Sequence, residues 1–246
     1  MIQPIAALVG ALAGAIAGSF LATLILRWPE GRSIMHGRSA CDGCGRTLAA
    51  RDLVPLLSAM VQRGRCRSCG ARIDPLHGRV EAACAVIGAL ALGGLPDIGG
   101  IAWALLGWML LTLALLDWRH FWLPDALTLP LAFLGFTIGL WATDVILIDR
   151  VLGAAIGYGA LLALALGYRG IRGRDGLGLG DAKLLGALGA WFGWQALPFV
   201  LLIASMTGLA VMLISGQATR RTARVPLGTF LALAALPAWI VVLRLF

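Results

Sequence analysis

Acidic residues are scarce in this chain: 12 Asp and Glu stand against 20 Lys and Arg in 246 residues. Charged residues of either sign make up only 13%, apolar residues 60%, and the mean hydropathy is +0.89. That balance excludes an ordinary water-soluble domain and indicates a polytopic membrane protein. Period-2 alternation is missing, which excludes a transmembrane barrel, and open sheets cannot satisfy their backbone in lipid, so the spans are expected to be helices. The opening Met1-Ile2-Gln3-Pro4 has no basic stretch, and no small-residue cleavage site precedes the arginines, so the first apolar run is expected to remain in place. No strand pattern leads into the glycine-rich stretch 169–180, which argues against a phosphate loop there.

What the chain does have is apolar runs: about Ile5 to Leu26, Val80 to Leu95, Gly99 to Leu116, Ala126 to Ala142, Ile146 to Tyr168, Ala182 to Trp194, Ala196 to Ser215 and Pro226 to Phe246. These predict an all-α bundle of about eight transmembrane helices. A span needs roughly 20 residues, so the shorter runs are expected to tilt or to be buried inside the bundle, above all the one after Asp181. With the N-terminus outside, the loops 27–79, 117–125, 169–183 and 216–225 are cytoplasmic and hold 10, 1, 4 and 3 basic residues, 18 of the 20. Only Arg150 and Arg244 fall on the other side. The net charge of +8 is thus a topology signal, suited also to anionic lipid headgroups, and calls for no nucleic acid. On the first helix Gly10, Gly14 and Gly18 recur four apart, a spacing that lets helices approach closely.

Residues 27–79 form the one sizeable polar segment. They carry Cys41-Asp42-Gly43-Cys44 and Cys66-Arg67-Ser68-Cys69, each followed by a glycine, Gly45 or Gly70, which permits the tight turn that aims two thiolates at one ion. Four sulfurs suit a structural zinc in a ribbon-like loop, and a closed four-cysteine site leaves no open position for catalysis. A redox pair is the alternative, disfavoured where thiols stay reduced. Cys84, in an apolar run, reads as a small core residue. His36, Asp42, Asp52, Asp74 and His77 read as solvated or interfacial, and Glu81 as an interfacial acid near Arg79.

Two further acids stand out. Asp117 closes the third run, at a helix C-terminus where the dipole disfavours a negative charge; Asp181 opens the sixth, after Gly178-Leu179-Gly180. The topology puts both at the cytoplasmic face. Two carboxylates brought together share a proton and can activate water against an amide carbonyl, with Asp181 expected as the base and Asp117 as the acid, although such a pair titrates as one unit. Gly178 and Gly180 allow close backbone approach, Asp125 after Pro124 reads as a helix N-cap, Trp118 and Trp122 fit an interfacial belt, and Pro226 fits the first turn of the last helix.

Taken together, Asp117 with Leu123-Pro124-Asp125, Gly178-Leu179-Gly180-Asp181, the two cysteine knuckles with Leu53-Val54-Pro55 and Arg63-Gly64-Arg65-Cys66, and Pro226-Leu227-Gly228 resemble the type IV prepilin peptidases over nearly the whole chain. The resemblance implies a bacterial inner-membrane aspartic peptidase with Asp117 and Asp181 as its catalytic pair. It implies cleavage, at the cytoplasmic side, of basic leaders from prepilins or type II secretion pseudopilins, after a glycine and just before the apolar segment. It also implies an N-terminal portion, 1–95, linked in many members to N-methylation with S-adenosylmethionine, and a peptidase core, 96–246. Gly18-Ser19-Phe20-Leu21 and Arg27-Trp28-Pro29 resemble that portion, while Ala22 and Asp52 stand where many bifunctional members have asparagine, so methylation is left open. The rival readings are an adaptor that uses the zinc loop for protein binding, and a transporter that uses the aspartates as an ion site.

Overall fold

The computed structural model describes residues 2–34, 39–173, 176–216 and 225–245, with side chains as far as residue 242. His36, Arg220, Arg221 and Arg224 lie outside the described residues. Nine α-helices are described: α1 (Pro4–Arg27), α2 (Leu57–Val61), α3 (Leu76–Gly94), α4 (Ile98–His120), α5 (Asp125–Phe136), α6 (Leu147–Arg172), α7 (Leu179–Phe192), α8 (Leu197–Ile214) and α9 (Leu227–Leu245). Apart from the short α2, they correspond to the eight apolar runs, and the fold is all-α as expected. Five of them, α1, α3, α4, α6 and α8, are long and apolar enough to cross a membrane. The expectation of eight spans is narrowed accordingly. The run 126–142 breaks after Phe136 and continues only as a 3-10 turn, Ile138–Trp141, and α7 has 14 residues.

The chain forms two compact units, Met1–Trp108 and Met109–Phe246, the division falling within α4. In the first unit α1 packs along α3 through the predicted glycine face. A Cβ at Gly10 would run into the carbonyl of Gly88, one at Gly14 into that of Cys84, and one at Gly18 would lie 2.7 Å from the Glu81 Cα. Backbone is therefore in contact with backbone, which larger side chains would prevent. Cys84 is fully buried there, and its carbonyl accepts the Trp108 indole N–H at 2.9 Å.

In the second unit, α6 turns mostly small residues inward and large ones outward. Helix α6 buries Gly153, Gly157, Leu161 and Ala165 and exposes Leu147, Ile148, Leu164 and Leu166. Small residues face the bundle because lipid offers no hydrophobic drive to bury large ones. Helix α7 is the exception that the bundle closes around: from Asp181 to Phe192 every residue but Lys183 is buried, which bears out the expected burial of the shortest run. Its glycines meet α6 directly, Gly189 against Gly153 and Gly186 against the Ala154 carbonyl.

Arg150 holds the far end of this packing. It is fully buried, and its guanidinium donates to the carbonyls of Gly135 at the end of α5, Gly139 in the 3-10 turn, Ala190 and Trp191 at the end of α7, and Thr143 and Val145 in the loop, all at 2.9 to 3.1 Å. The Thr143 hydroxyl lies 2.7 Å from Nη2. A cation at two helix C-termini meets carbonyls that have no intrahelical partner, so the cost of burying the charge is offset by complete hydrogen bonding. Sequence reasoning saw Arg150 only as a basic residue on the minority side.

Arg150→Met, which keeps bulk and removes every donor, is expected to cost about 3 kcal/mol or more, read from the unfolding midpoint in mixed detergent micelles. Arg150→Lys, with three donors on a point charge, should recover only part of that loss. Equal stability of the Met variant and the parent would contradict the structural role assigned here.

Candidate active site

Asp117 lies in the last turn of α4, Asp181 is the third residue of α7, and the first turn of α9 comes between them. Both acids are buried, with 5% and 9% of their surface exposed. A Cβ built on Gly228 would stand 3.1 Å from Asp117 Oδ2 and 3.1 Å from Asp181 Oδ1, so these oxygens are no further apart than twice that distance. The same Cβ would press on Leu123 Cδ1 at 2.6 Å. Only glycine leaves the space at 228 open, and the backbone amide of Gly228 is turned toward both carboxylates.

Thr229 completes the cradle. Its N–H donates to Asp117 Oδ2 at 2.7 Å. Its hydroxyl oxygen lies 3.2 Å from the same Oδ2 and 3.0 Å from the Ala114 carbonyl. The hydroxyl has one hydrogen: it donates to the carboxylate, or it donates to the carbonyl and accepts from a protonated Asp117. Both charge states of Asp117 therefore find a partner. Asp117 does end α4, as the sequence indicates, and the free amides at the N-terminus of α9 face it as well.

The flanking residues are positioned by packing. Gly178 is the N-cap of α7 with extended backbone, and its own amide faces Asp181. A Cβ at Gly180 would come 2.9 Å from the Leu123 side chain, so the close approach expected of this glycine is to the 121–124 connector. That connector turns at Phe121, whose φ of 51° follows its amide's bond to the Asp117 carbonyl at 2.9 Å. Asp125 is not the N-cap of α5. Pro124 takes that position, because its fixed φ and extended ψ of 139° turn its carbonyl onto the first helical amides, and Asp125 becomes the first helical residue. The carboxylate so freed grips Lys183 on α7 at 2.6 and 2.8 Å, tying together the helix starts that border the aspartates. Pro226 stands just before α9 and not in its first turn.

In the first unit the four knuckle cysteines converge, with one ligand atom from each lying within 4.8 Å of all the others. Cys41 and Cys69 Sγ are 3.8 Å apart, about the edge of a tetrahedron with metal–sulfur bonds near 2.3 Å. The two knuckles are built alike. Gly45 and Gly70 have φ of 69° and 71°, their amides close on the Cys41 and Cys66 carbonyls, and antiparallel bridges Ala40–Thr47 and Arg65–Arg72 flank them. The backbone N–H groups of Cys69 and Ser68 hold the Cys66 thiol down at about 6. For Cys69 the Ala71 amide pulls downward, but the thiol of Cys44, desolvation and the other thiols push it up to about 11. One sulfur is thus ready as a thiolate, and the set fits a cation that would deprotonate the rest.

The other loop acids are engaged rather than merely solvated. Asp52 accepts from the Ala49 amide and the Gln62 side chain and pairs with Arg67 at 3.2 Å. Asp42 pairs with Arg32 at 3.1 Å, and Asp74 accepts the Leu76 amide at 2.8 Å. Glu81, buried on α3, accepts the amide of Leu56, a residue with φ of 62°. Together with Ser19, Thr23 and His77 these acids line a cavity of about 390 Å³. Sequence reasoning missed that cavity, and it read Thr229 as architecture; a Gly-Thr pair opening a helix on the basic-loop side was the available signal.

Gly228→Ala is expected to leave the bundle folded and to displace the two carboxylates from the α9 turn. Hydrogen exchange should then be at least about tenfold faster at the Thr229 amide, which loses its bond to Asp117. Unchanged protection there would refute the close packing described.

Residues 12–93 match the Bacterial Peptidase A24 N-terminal domain, and residues 104–213 match the Type IV leader peptidase family. A protein of Aeromonas hydrophila is 40% identical over 214 residues, spanning 86% of this chain and 73% of its own. One of Burkholderia pseudomallei (strain 1026b) is 44% identical over 210 residues, spanning 83% and 67%, and one of Klebsiella pneumoniae is 41% identical over 186 residues, spanning 74% and 80%. All three carry the name prepilin leader peptidase/N-methyltransferase. No solved structure matches the chain. On the strength of these matches, and with two buried carboxylates meeting at one glycine, the chain belongs to the type IV leader peptidase family.

Proposed function

We propose that this protein is a membrane aspartic endopeptidase that removes the basic leader from type IV prepilins or type II secretion pseudopilins. The observation that carries the reading is the meeting of Asp117 and Asp181 across Gly228, inside a bundle otherwise almost free of acids. Two such carboxylates cannot both ionise cheaply and hold one proton between them. Asp181 takes a proton from water as the water oxygen bonds to the scissile carbonyl carbon, while Asp117 gives its proton to the carbonyl oxygen. Collapse of the tetrahedral intermediate breaks the C–N bond and returns a proton to the leaving amine. The Thr229 hydroxyl, able to donate to or accept from Asp117, serves that group before and after transfer. Gly180 supports this by letting the start of α7 approach the 121–124 connector, Gly178 by turning its amide to Asp181, and Asp125 by holding Lys183.

Asp117 ends α4 and Asp181 opens α7, next in sequence to the basic segments 117–125 and 169–183, which supports an active site at the cytoplasmic face of a bacterial inner membrane, with the N-terminus outside. Residues 96–246 then form the peptidase core, and residues 1–95 the portion related to methylation. Cys41, Cys44, Cys66 and Cys69 hold a structural zinc. S-adenosylmethionine, if methylation is retained, is a small sulfonium donor that would suit the cavity bordered by Asp52, Asp74 and Glu81, whose carboxylates attract cations. It would supply the methyl group for the new N-terminus. Asp52, where many bifunctional members have asparagine, lies on that cavity.

Asp117→Asn and Asp181→Asn are each expected to reduce cleavage of a detergent-solubilised prepilin by about 10⁴-fold or more without unfolding the protein. Normal cleavage by both would refute the aspartyl pair, and the adaptor reading would then fit better. Uptake of an ion by proteoliposomes with no cleavage would favour the transporter. Mass spectrometry of the new N-terminus reads the second activity as the mass of one added methyl group.

Purified protein is expected to hold about one zinc per chain, lost in Cys66→Ser together with protease resistance of the 39–73 loop. Metal-free protein with an unchanged digestion pattern would contradict the structural role.

A further inference from the structure

The cavity of the first unit has two kinds of wall. Thr23 of α1 and Glu81 of α3 belong to helices that pack backbone on backbone, whereas Cys41 and Gly43 come from the first knuckle and Cys66 and Ala71 from the second. The knuckles meet on this wall: a Cβ at Gly43 would stand 2.7 Å from the Ala71 Cβ and 3.6 Å from Cys69 Sγ. Whatever draws the four sulfurs together therefore also closes the cavity. Of the acids on the lining, Asp42 is taken by Arg27 and Arg32, and Asp52 by Arg67 and Gln62. Asp74 and Glu81 pair with no cation among the described residues and meet only backbone amides, those of Leu76 and Leu56, each at 2.8 Å. Glu81 is 6% exposed, and the Leu56 amide takes only its Oε2. No buried side-chain oxygen among the described residues lacks a partner, so Oε1 opens on the cavity that Glu81 lines. The arginines on the lining do not neutralise it, since Arg27 is engaged by Asp42 and Arg72 is exposed.

We infer that the metal-held knuckles are the lid of a site for an organic cation, so that metal and cation bind cooperatively, with Glu81 Oε1 as the anion that meets the charge. This rests on the reading of the cavity given above, in which the cation is a sulfonium. The loop has little core of its own, and ordering it costs conformational entropy. A metal at the four cysteines meets that cost for the cavity wall, and the cation then binds to a wall already in place. In return, a cation that holds the wall closed keeps the sulfurs together around the metal. Glu81 joins the two sites, because its other oxygen holds the amide of Leu56, within the segment that connects the knuckles. Leu56 keeps a φ of 62°, a strained value for a residue with a side chain, and such strain persists where the surroundings impose it, as at a ligand clamp. A buried carboxylate with one free oxygen is costly unless a cation reaches it.

The test uses the full chain in detergent micelles, with zinc and S-adenosylmethionine as probes. Saturating S-adenosylmethionine is expected to slow the transfer of zinc to a chromophoric chelator about tenfold, and by reciprocity zinc-free protein should bind S-adenosylmethionine about tenfold more weakly in calorimetry. Glu81→Gln keeps an acceptor for the Leu56 amide and removes the charge. This variant is expected to retain its zinc, to bind S-adenosylmethionine about tenfold more weakly than the parent, and to show the slowing only at correspondingly higher concentration. Equal affinity in zinc-loaded and zinc-free protein would overturn the cooperativity while leaving the cavity assignment intact. Parent-like binding by Glu81→Gln would overturn the role of that carboxylate. Absence of binding by zinc-loaded parent protein would remove the cavity reading itself, and this inference with it. Neither readout involves prepilin cleavage, so each of these failures leaves the peptidase reading standing.

Discussion

Two carboxylates within one hydrogen-bonding neighbourhood, inside a membrane bundle, are the constraint on which the second unit depends. An ionised acid in such surroundings is costly unless donors meet it, and repulsion between two acids adds to the cost. The first turn of α9 supplies the donors, since its amides have no intrahelical acceptor. That solution demands a bare backbone at the point of contact, which is why Gly228 lies between the two acids and Gly180 under Leu123.

Helix α7 has to be held rigidly for Asp181 to stay in register, and it is held at both ends. Lys183 reaches Asp125 near its start, and Arg150 gathers the carbonyls at its finish. Between these anchors it is packed on α6 through glycines, so that backbone meets backbone with little room for sliding. Its 14 residues are too few to cross a bilayer alone, which matters little for a helix whose surface is covered by protein.

The first unit follows a different logic. Its polar loop has little apolar core, and order comes from two cysteine turns brought to one point, with Asp52, Asp42 and Glu81 bracing the chain between them and the helices. A loop of this size without a substantial core needs such a staple, and a metal ion held by the four cysteines would supply it through the folding equilibrium. The acid-lined cavity is a consequence of that bracing: carboxylates that hold backbone amides on one side still present charge on the other.

What the sequence determined by itself was whatever is written locally or by period. Apolar runs specify helices in lipid, paired knuckles with following glycines specify a metal-binding turn, and the 10-14-18 glycine stripe specifies where α1 meets α3. Asp117 and Asp181 were legible as a pair because so few acids interrupt the apolar runs. Only the tertiary structure decided what those acids rest on. The Thr229 amide is 112 positions from Asp117, and the Gly-Thr pair that opens α9 does not name its partner until the helix is docked. Arg150 looked like a stray cation because its acceptors are main-chain carbonyls, which every residue carries and no sequence distinguishes. Asp125 was misassigned for a related reason: a short-range cap and a long-range ion pair ask for the same residue type, and once Pro124 takes the cap the carboxylate is left for Lys183, 58 positions away.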